Sequence, residues 1–282
     1  MKAIILNLSA WIMLPIMDGF AKYLSSSLPV LQITWSRYFF TIVITLPIML
    51  IFFRKNLTWT EQPKLQLIRG LLLFCANILF FYSISIISLA KALTLAFIVP
   101  LFVTALSPVL LGEKVGFRRW AAVVTGFIGS LIVIRPGFVE LNLASIAALG
   151  TGVLYGFYLI ITKKLHDSDN PLLTLLLTGI VGAVLGSLIM PTVWVSPTIT
   201  EWYMMFAIGF FASLGHLFII LSLRYADASK LAPFGYFEIV TSIIIGYYFF
   251  NHFPDSWTFL GLFIIISSGI YIFRREHKIR SN

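Results

Sequence analysis

Residues 232–242 read APFGYFEIVTS, and Glu238 stands there among aromatic and β-branched neighbours, with no other charge between Lys230 and Asp255. A charge in so apolar a run is tolerated when a proton, a counter-charge or a wet cavity compensates it. Three more charged side chains share that predicament. Asp18 and Lys22 are i and i+4, on one face of a helix, with the acid on the N-terminal side, which suits an ion pair. Arg37 follows in the next apolar run. Asn77 and His216 are polar groups in the middle of two separate apolar stretches. Tyr155, in ALGTGVLYGFY with Phe157 and Tyr158, and Tyr236, beside Glu238, have rings that bind flat or cationic groups and polar tips that bond to them. The chemistry open to this set is recognition of a small polar molecule and carriage of a proton. Each group also has a plainer use. Lys22 can snorkel to a surface. Asp18, Lys22 and Arg37 can form a structural charge network. His216 and Asn77 can join helices by hydrogen bonds, and the tyrosines can pack a core.

The solvent around these residues follows from composition. The chain has 282 residues, 59% hydrophobic and 11% charged, with a mean hydropathy of +0.97. Soluble domains carry about 25% charged residues, so most of this chain must face lipid. The single cysteine, Cys75, excludes an internal disulfide, and the four histidines are scattered, so no metal cluster and no cofactor are expected. The first apolar segment ends in DGFAK without a small-residue cleavage pattern and reads as a span, not a removable leader.

A span needs about 20 apolar residues. That length predicts an all-α integral membrane protein with ten transmembrane helices at 3–24, 31–53, 65–87, 90–111, 118–135, 143–162, 172–194, 203–223, 229–250 and 256–273. Breakers such as SSSLP at 25–29, RPG at 135–137 and DSDNP at 167–171 separate them. With the N-terminus in the cytoplasm, 16 of the 20 Lys and Arg residues fall at cytoplasmic ends, Arg69 among them; Lys91 and Arg135 fall outside, and Lys22 and Arg37 within spans. The positive-inside rule then puts both termini in the cytoplasm. The net charge of +9 orients the chain in a lipid bilayer, and no nucleic-acid partner is expected. Six of the seven tryptophans lie near span ends, as an interfacial belt requires; the exception is Trp11. The sequons at Asn7 and Asn56 read as chance matches.

Sliding the chain along itself until Gly70 falls on Gly209 also superposes Ser83 on Ser222, Lys91 on Lys230 and Arg135 on Arg274, without a gap. The same offset carries Asn77 onto His216. The chain therefore reads as two five-helix units, 1–137 and 138–282. Five is odd, so the second unit enters from the opposite side and the units are inverted repeats, with a site between them near the midplane. The glycine run GIVGAVLG at 179–186 offers a face for close helix contact.

At this level the sequence resembles the EamA-type, ten-span branch of the drug/metabolite transporter superfamily. The resemblance covers nearly the whole chain. It rests on the duplicated unit and on IVPLFVTALSPVLLGEKVGFRRWAAVVTGFIGSLIVIRPG at 98–137, with its proline, its LGE turn at Leu111–Glu113 and its glycine-bearing fifth span. The second copy departs from the pattern, with Asn251 and His252 where Gly and Glu usually stand. Stretches 18–40 and 234–255 resemble the branch that includes S-adenosylmethionine and riboflavin uptake carriers. The resemblance implies a secondary carrier of the bacterial inner membrane, not an enzyme, that moves a small polar or zwitterionic metabolite by alternating access. The chain holds no P-loop to suggest ATP drive. The expected site is Glu238, Asp18, Lys22, Arg37, Asn77, His216, Tyr155 and Tyr236. Glu238 either carries a coupling proton or binds a cationic group. Export instead of uptake, a receptor and a membrane enzyme are the rival readings, and a homodimer is left open.

Overall fold

A computed structural model describes residues 1–52, 60–134, 142–250 and 255–281. The Asn56 sequon, Arg135 with its RPG turn and the Asn251–His252 pair lie outside them. The described residues form helices joined by short turns, with no strand among them. In order these are α1 (Lys2–Leu24), α2 (Val30–Phe52), α3 (Pro63–Ile86), α4 (Leu89–Ala96), α5 (Ile98–Leu111), α6 (Phe117–Ile134), α7 (Leu143–Lys164), α8 (Pro171–Val193), α9 (Ile199–Tyr225), α10 (Ala228–Leu231), a 3₁₀ turn (Ala232–Tyr236), α11 (Phe237–Phe250) and α12 (Ser256–Ser281). Over the described residues, each expected span is helical along most of its length. Eight segments among them are long and apolar enough to cross a membrane, and Ser256–Tyr271 is a shorter apolar helix.

Two expected spans are broken. The span expected at 90–111 splits at Phe97, and that expected at 229–250 splits at the 3₁₀ turn. The cause is proline. Pro100 has no N–H for the carbonyl four residues back, that of Ala96, and its ring crowds that carbonyl. Pro233 interrupts the other segment in the same way. Gly152 on α7 lies against the first break, where an added Cβ would sit 2.7 Å from the Ala96 oxygen. The breaks fall in matching places: the offset that carries Gly70 to Gly209 carries Phe97 to Tyr236, where the second break ends.

Helix α1 packs chiefly on α9, α3 on α7, α2 on α8 and α6 on α12. Close approach of α2 and α8 depends on the glycine run. An added Cβ at Gly182 would overlap the Tyr38 ring, and one at Gly186 would come within 3.0 Å of Trp35. The LGE turn also has a tertiary use. Gly112 adopts the left-handed conformation (φ 67°) that ends α5. The Glu113 carboxylate then accepts the backbone N–H groups of Ala228 (2.8 Å) and Ser229 (2.9 Å), capping α10.

Two lysines cap helix C-termini at opposite ends of the bundle. Lys22 Nζ, in the last turn of α1, donates to the carbonyls of Ile84 (2.7 Å) and Ile87 (3.2 Å) where α3 ends. Lys163 Nζ, in the last turn of α7, donates to those of Leu223 (2.9 Å) and Ala226 (3.0 Å) where α9 ends. A helix C-terminus leaves carbonyls without partners and carries partial negative charge, so a lysine there is satisfied twice over. The Asp18–Lys22 ion pair expected from their spacing is therefore not formed; the four-carbon stem takes the ammonium past Asp18 to the end of α3.

Gly182→Leu is expected to force the Tyr38 ring and α2 away from α8, an overpacking cost of about 1–3 kcal/mol. A lower apparent melting temperature of the purified protein would record it, and an unchanged one would contradict this packing.

Candidate functional site

The sixth and ninth expected spans meet the first, third, fourth and eighth around a central cavity. It is open to solvent at one side and spans about 940 Å³ of atom-free space, the open solvent at its mouth included. Its walls come from α1, α3, α4, α5, α7, α9, α10, the 3₁₀ turn and α11. Neither α2 nor α8 reaches it, and of the described residues of α6 and α12 none lines it.

Most of the wall is apolar, as small-molecule sites generally are. Its polar groups are few: Asn7 and Asp18 on α1, Asn77 on α3, Thr151 and Tyr155 on α7, His216 on α9 and Glu238 on α11. Five of the eight expected site residues are thus brought together, namely Glu238, Asp18, Asn77, His216 and Tyr155. Three are not. Lys22 is committed to the α3 terminus. Arg37 stands behind the cavity wall. Tyr236 is buried with its ring 5.7 Å from that of Phe97 and against Gly126, where a side chain would overlap it.

Local structure explains how each lining group is presented. Glu238 sits in the first turn of the half-helix α11, where the positive end of the helix favours a carboxylate. Its backbone carbonyl accepts from Ser242 Oγ at 2.8 Å, while its carboxyl group makes no hydrogen bond among the described residues. Asp18 is 3% exposed and its Oδ1 is enclosed without a partner among the described residues. The Tyr155 hydroxyl is enclosed and unpartnered in the same sense. Tyr155 lies within electrostatic reach of Glu238, Asp18 and Arg37. Asn77 is held by two contacts of Nδ2, to the Leu73 carbonyl at 2.6 Å and to Tyr38 Oη at 2.8 Å. A carbonyl only accepts, so the amide orientation is determined and Oδ1 is left as the group without a protein donor among the described residues.

Behind the cavity runs a buried chain of four polar side chains. Arg37 Nη2 bonds His216 Nε2 at 2.6 Å, and His216 Nδ1 bonds Tyr158 Oη at 2.9 Å. Tyr158 Oη also accepts from Arg69 Nη2 at 2.9 Å. A guanidinium has no acceptor, so His216 Nε2 accepts and the ring proton resides on Nδ1, giving it to Tyr158. His216 is therefore a neutral imidazole between two cations. Arg69 completes its set with Thr162 Oγ1 (2.7 Å), the Thr174 carbonyl (3.1 Å) and Thr178 Oγ1.

Arg69 has a use that the count of basic residues did not show. Counted from sequence among residues at a cytoplasmic end, it is 0% exposed and bonded to hydroxyls and a carbonyl of α7 and α8. Its position inside the span expected at 65–87 was the available signal. Trp11 was also passed over, and it lines the cavity with Nε1 donating to Asn7 Oδ1 at 2.7 Å. Its signal was to be the one tryptophan away from a span end. Trp11 packs edge-on against Tyr155, ring centroids 6.5 Å apart, and Tyr155 stacks on Tyr158 at 5.3 Å.

Arg69 donates to Tyr158 Oη, Thr162 Oγ1, the Thr174 carbonyl and Thr178 Oγ1, and a hydrogen bond from a charged donor is worth about 1.5–3 kcal/mol. Arg69→Met should therefore lower the apparent melting temperature well beyond what Lys22→Met does, since Lys22 is only partly buried; equal losses would mean the buried chain adds nothing.

Comparison with known proteins extends this geometry. The model of the EamA-like transporter family matches the chain twice, over residues 1–135 and 142–274. An S-adenosylmethionine uptake transporter of Rickettsia bellii (strain RML369-C) is 30% identical over 264 residues, 94% of this chain and 90% of that one. A riboflavin transporter of Vibrio cholerae serotype O1 is 28% identical over 275 residues, covering 96% and 92%. A protein of known crystal structure, 17% identical, superimposes with a TM-score of 0.79 over 94% of both chains, which establishes a shared fold.

Proposed function

Since the chain belongs to the EamA-like transporter family, we propose that it is a secondary carrier for uptake of a small metabolite that is both cationic and flat-ringed, of the S-adenosylmethionine kind. One observation carries the choice of substrate: the polarity of the cavity. It presents the carboxyl groups of Asp18 and Glu238 and the Asn77 carbonyl, and no lysine or arginine among the described residues lines it. A cation gains from such a lining and an anion is repelled. The Trp11 and Tyr155 rings add faces for a planar group or a positive one. The uptake carrier of Rickettsia bellii points the same way by its named substrate.

Riboflavin-like uptake is the second reading. It is favoured by the Vibrio cholerae relative and by the aromatic wall, but it gives the two carboxyl groups no counter-charge. Export by exchange with protons remains the rival in direction.

In this reading the chain works by alternating access between two inverted five-helix repeats, 1–137 and 138–282, about a site near the midplane. Four observations support the repeat. The family model matches twice. The broken spans are related by the offset that carries Gly70 to Gly209. Lys22 and Lys163 cap α3 and α9 at opposite ends, on carbonyl pairs related by that same offset, Ile84 to Leu223 and Ile87 to Ala226. The cavity is walled by the first, third and fourth spans of each unit. The basic residues orient both termini to the cytoplasm of a cell with the carrier in its inner membrane. Glu238 and Asp18 take the cation, or a coupling proton in its place.

The test is counterflow of labelled S-adenosylmethionine into proteoliposomes. The wild type should carry it, and S-adenosylhomocysteine, which lacks the sulfonium charge, should compete at least about tenfold less well, the worth of one modest ionic contact. Asp18→Asn and Glu238→Gln should each reduce uptake about tenfold or more at equal protein level. Wild-type rates in both variants would refute the cation reading, and carriage of riboflavin without S-adenosylmethionine would establish its rival.

A further inference from the structure

A buried guanidinium and a buried carboxyl group stand near each other in this bundle without pairing. Arg37, 2% exposed, directs Nε to the sulfur of Met17 at 3.4 Å, which puts its guanidinium against α1 at the residue before Asp18. Arg37 and Asp18 interact electrostatically. Yet Asp18 Oδ1 is enclosed and unpartnered among the described residues, and no ion pair joins the two. An unpaired buried carboxylate is costly, and a nearby guanidinium is its natural partner. What Arg37 bonds instead is His216 Nε2, at 2.6 Å. His216 is itself held from the other side by Tyr158 at 2.9 Å, which Arg69 holds in turn at 2.9 Å. The acceptor is anchored, and so the guanidinium is.

We propose that His216 is a positioning residue: by accepting Arg37 it keeps that cation off Asp18 and leaves Asp18 free for a cationic substrate. Arg37 is then a tethered competitor. With the His216 acceptor in place it is parked behind the wall. Without it, the guanidinium turns to Asp18, closes the ion pair and occupies the charge a substrate needs. The functional half of this inference rests on the cation reading above, and the conformational half does not.

The two halves are tested separately on the purified full chain. The first test is a melting-temperature cycle without substrate. In the wild type, Asp18→Asn removes an unpaired buried carboxyl group and should leave the apparent melting temperature unchanged or raised. In a His216→Leu background the same change removes a formed ion pair and should lower it by about 3 °C or more. The cycle is run also in His216→Phe, a non-accepting residue of different shape, so that a packing failure in one variant does not decide it. His216→Gln, whose Oε1 can accept Arg37, should behave as the wild type. An Asp18→Asn shift of the same sign and size in every background overturns the proposal.

The second test is equilibrium binding of S-adenosylmethionine. His216→Leu should weaken it about tenfold or more, and His216→Leu with Arg37→Gln should regain most of that loss, which a merely structural role of His216 would not allow. No recovery in the double variant overturns the proposal. A wild type that binds no S-adenosylmethionine overturns the cation reading instead, and the melting cycle still decides whether His216 holds Arg37 from Asp18.

Discussion

Among the described residues, two guanidinium groups are enclosed in a helical bundle whose outer surface faces lipid. Arginine does not shed its proton in proteins, so each must be satisfied by its neighbours. Arg69 does this with hydroxyls and a carbonyl of α7 and α8, and Arg37 with His216 on α9 and Met17 on α1. Tyr158 and His216 join the two sets into one chain. Helices α1, α2, α3, α7, α8 and α9 are thereby linked through side chains whose donor and acceptor roles are fixed. The same chain forms the back of the cavity, since His216 belongs to both.

The cavity owes its shape to interruptions. Where proline ends α4 and begins the 3₁₀ turn, backbone and half-helix ends replace a continuous wall of side chains. Irregular backbone at membrane depth is tolerated where it lines a cavity. Gly152 admits α7 to the first break, and Glu113 caps α10 just before the second. Glu238 follows that second break directly, so the element that interrupts the span also puts an acid at the positive end of a half-helix. Fold and site are in this sense one arrangement: the feature that weakens the helix is the one that presents the charge.

Charge is distributed across the wall in a consistent way. Carboxyl groups face the cavity, guanidinium groups stand behind it, and the Asn77 amide is turned by the Leu73 carbonyl so that an acceptor is what remains. Lys22 and Lys163 have been removed from the contest altogether by the carbonyls at two helix ends. This partition is what the proposed carriage of a cation requires, since a free lysine in the wall would offset one of the two acids that line it.

Much of this was legible in the residues. The run lengths of apolar sequence determined the helices, because a span must satisfy its own backbone and the bilayer sets its length. Glu238, Asp18, Asn77, His216 and Tyr155 were marked by being polar where lipid would reject them, and all five line the cavity. What periodicity does not carry is direction across helices. Lys22 shares a face with Asp18, and only the position of the α3 terminus decides that its ammonium goes there. Arg37 was marked in sequence by lying within a span and Arg69 was counted at a span end, and only the meeting of α2, α3, α7 and α9 turns them into a buried chain through Tyr158 and His216. Trp11, which has no role in the reading of the sequence, lines the cavity and Tyr236 does not, because which aromatic ring faces a cavity depends on how the helices meet. The sequence by itself determined the solvent, the helices and the unusual polar residues, since those follow from transfer energies of single side chains. The tertiary structure alone decided who pairs with whom, since pairing depends on distances between helices that no local pattern contains.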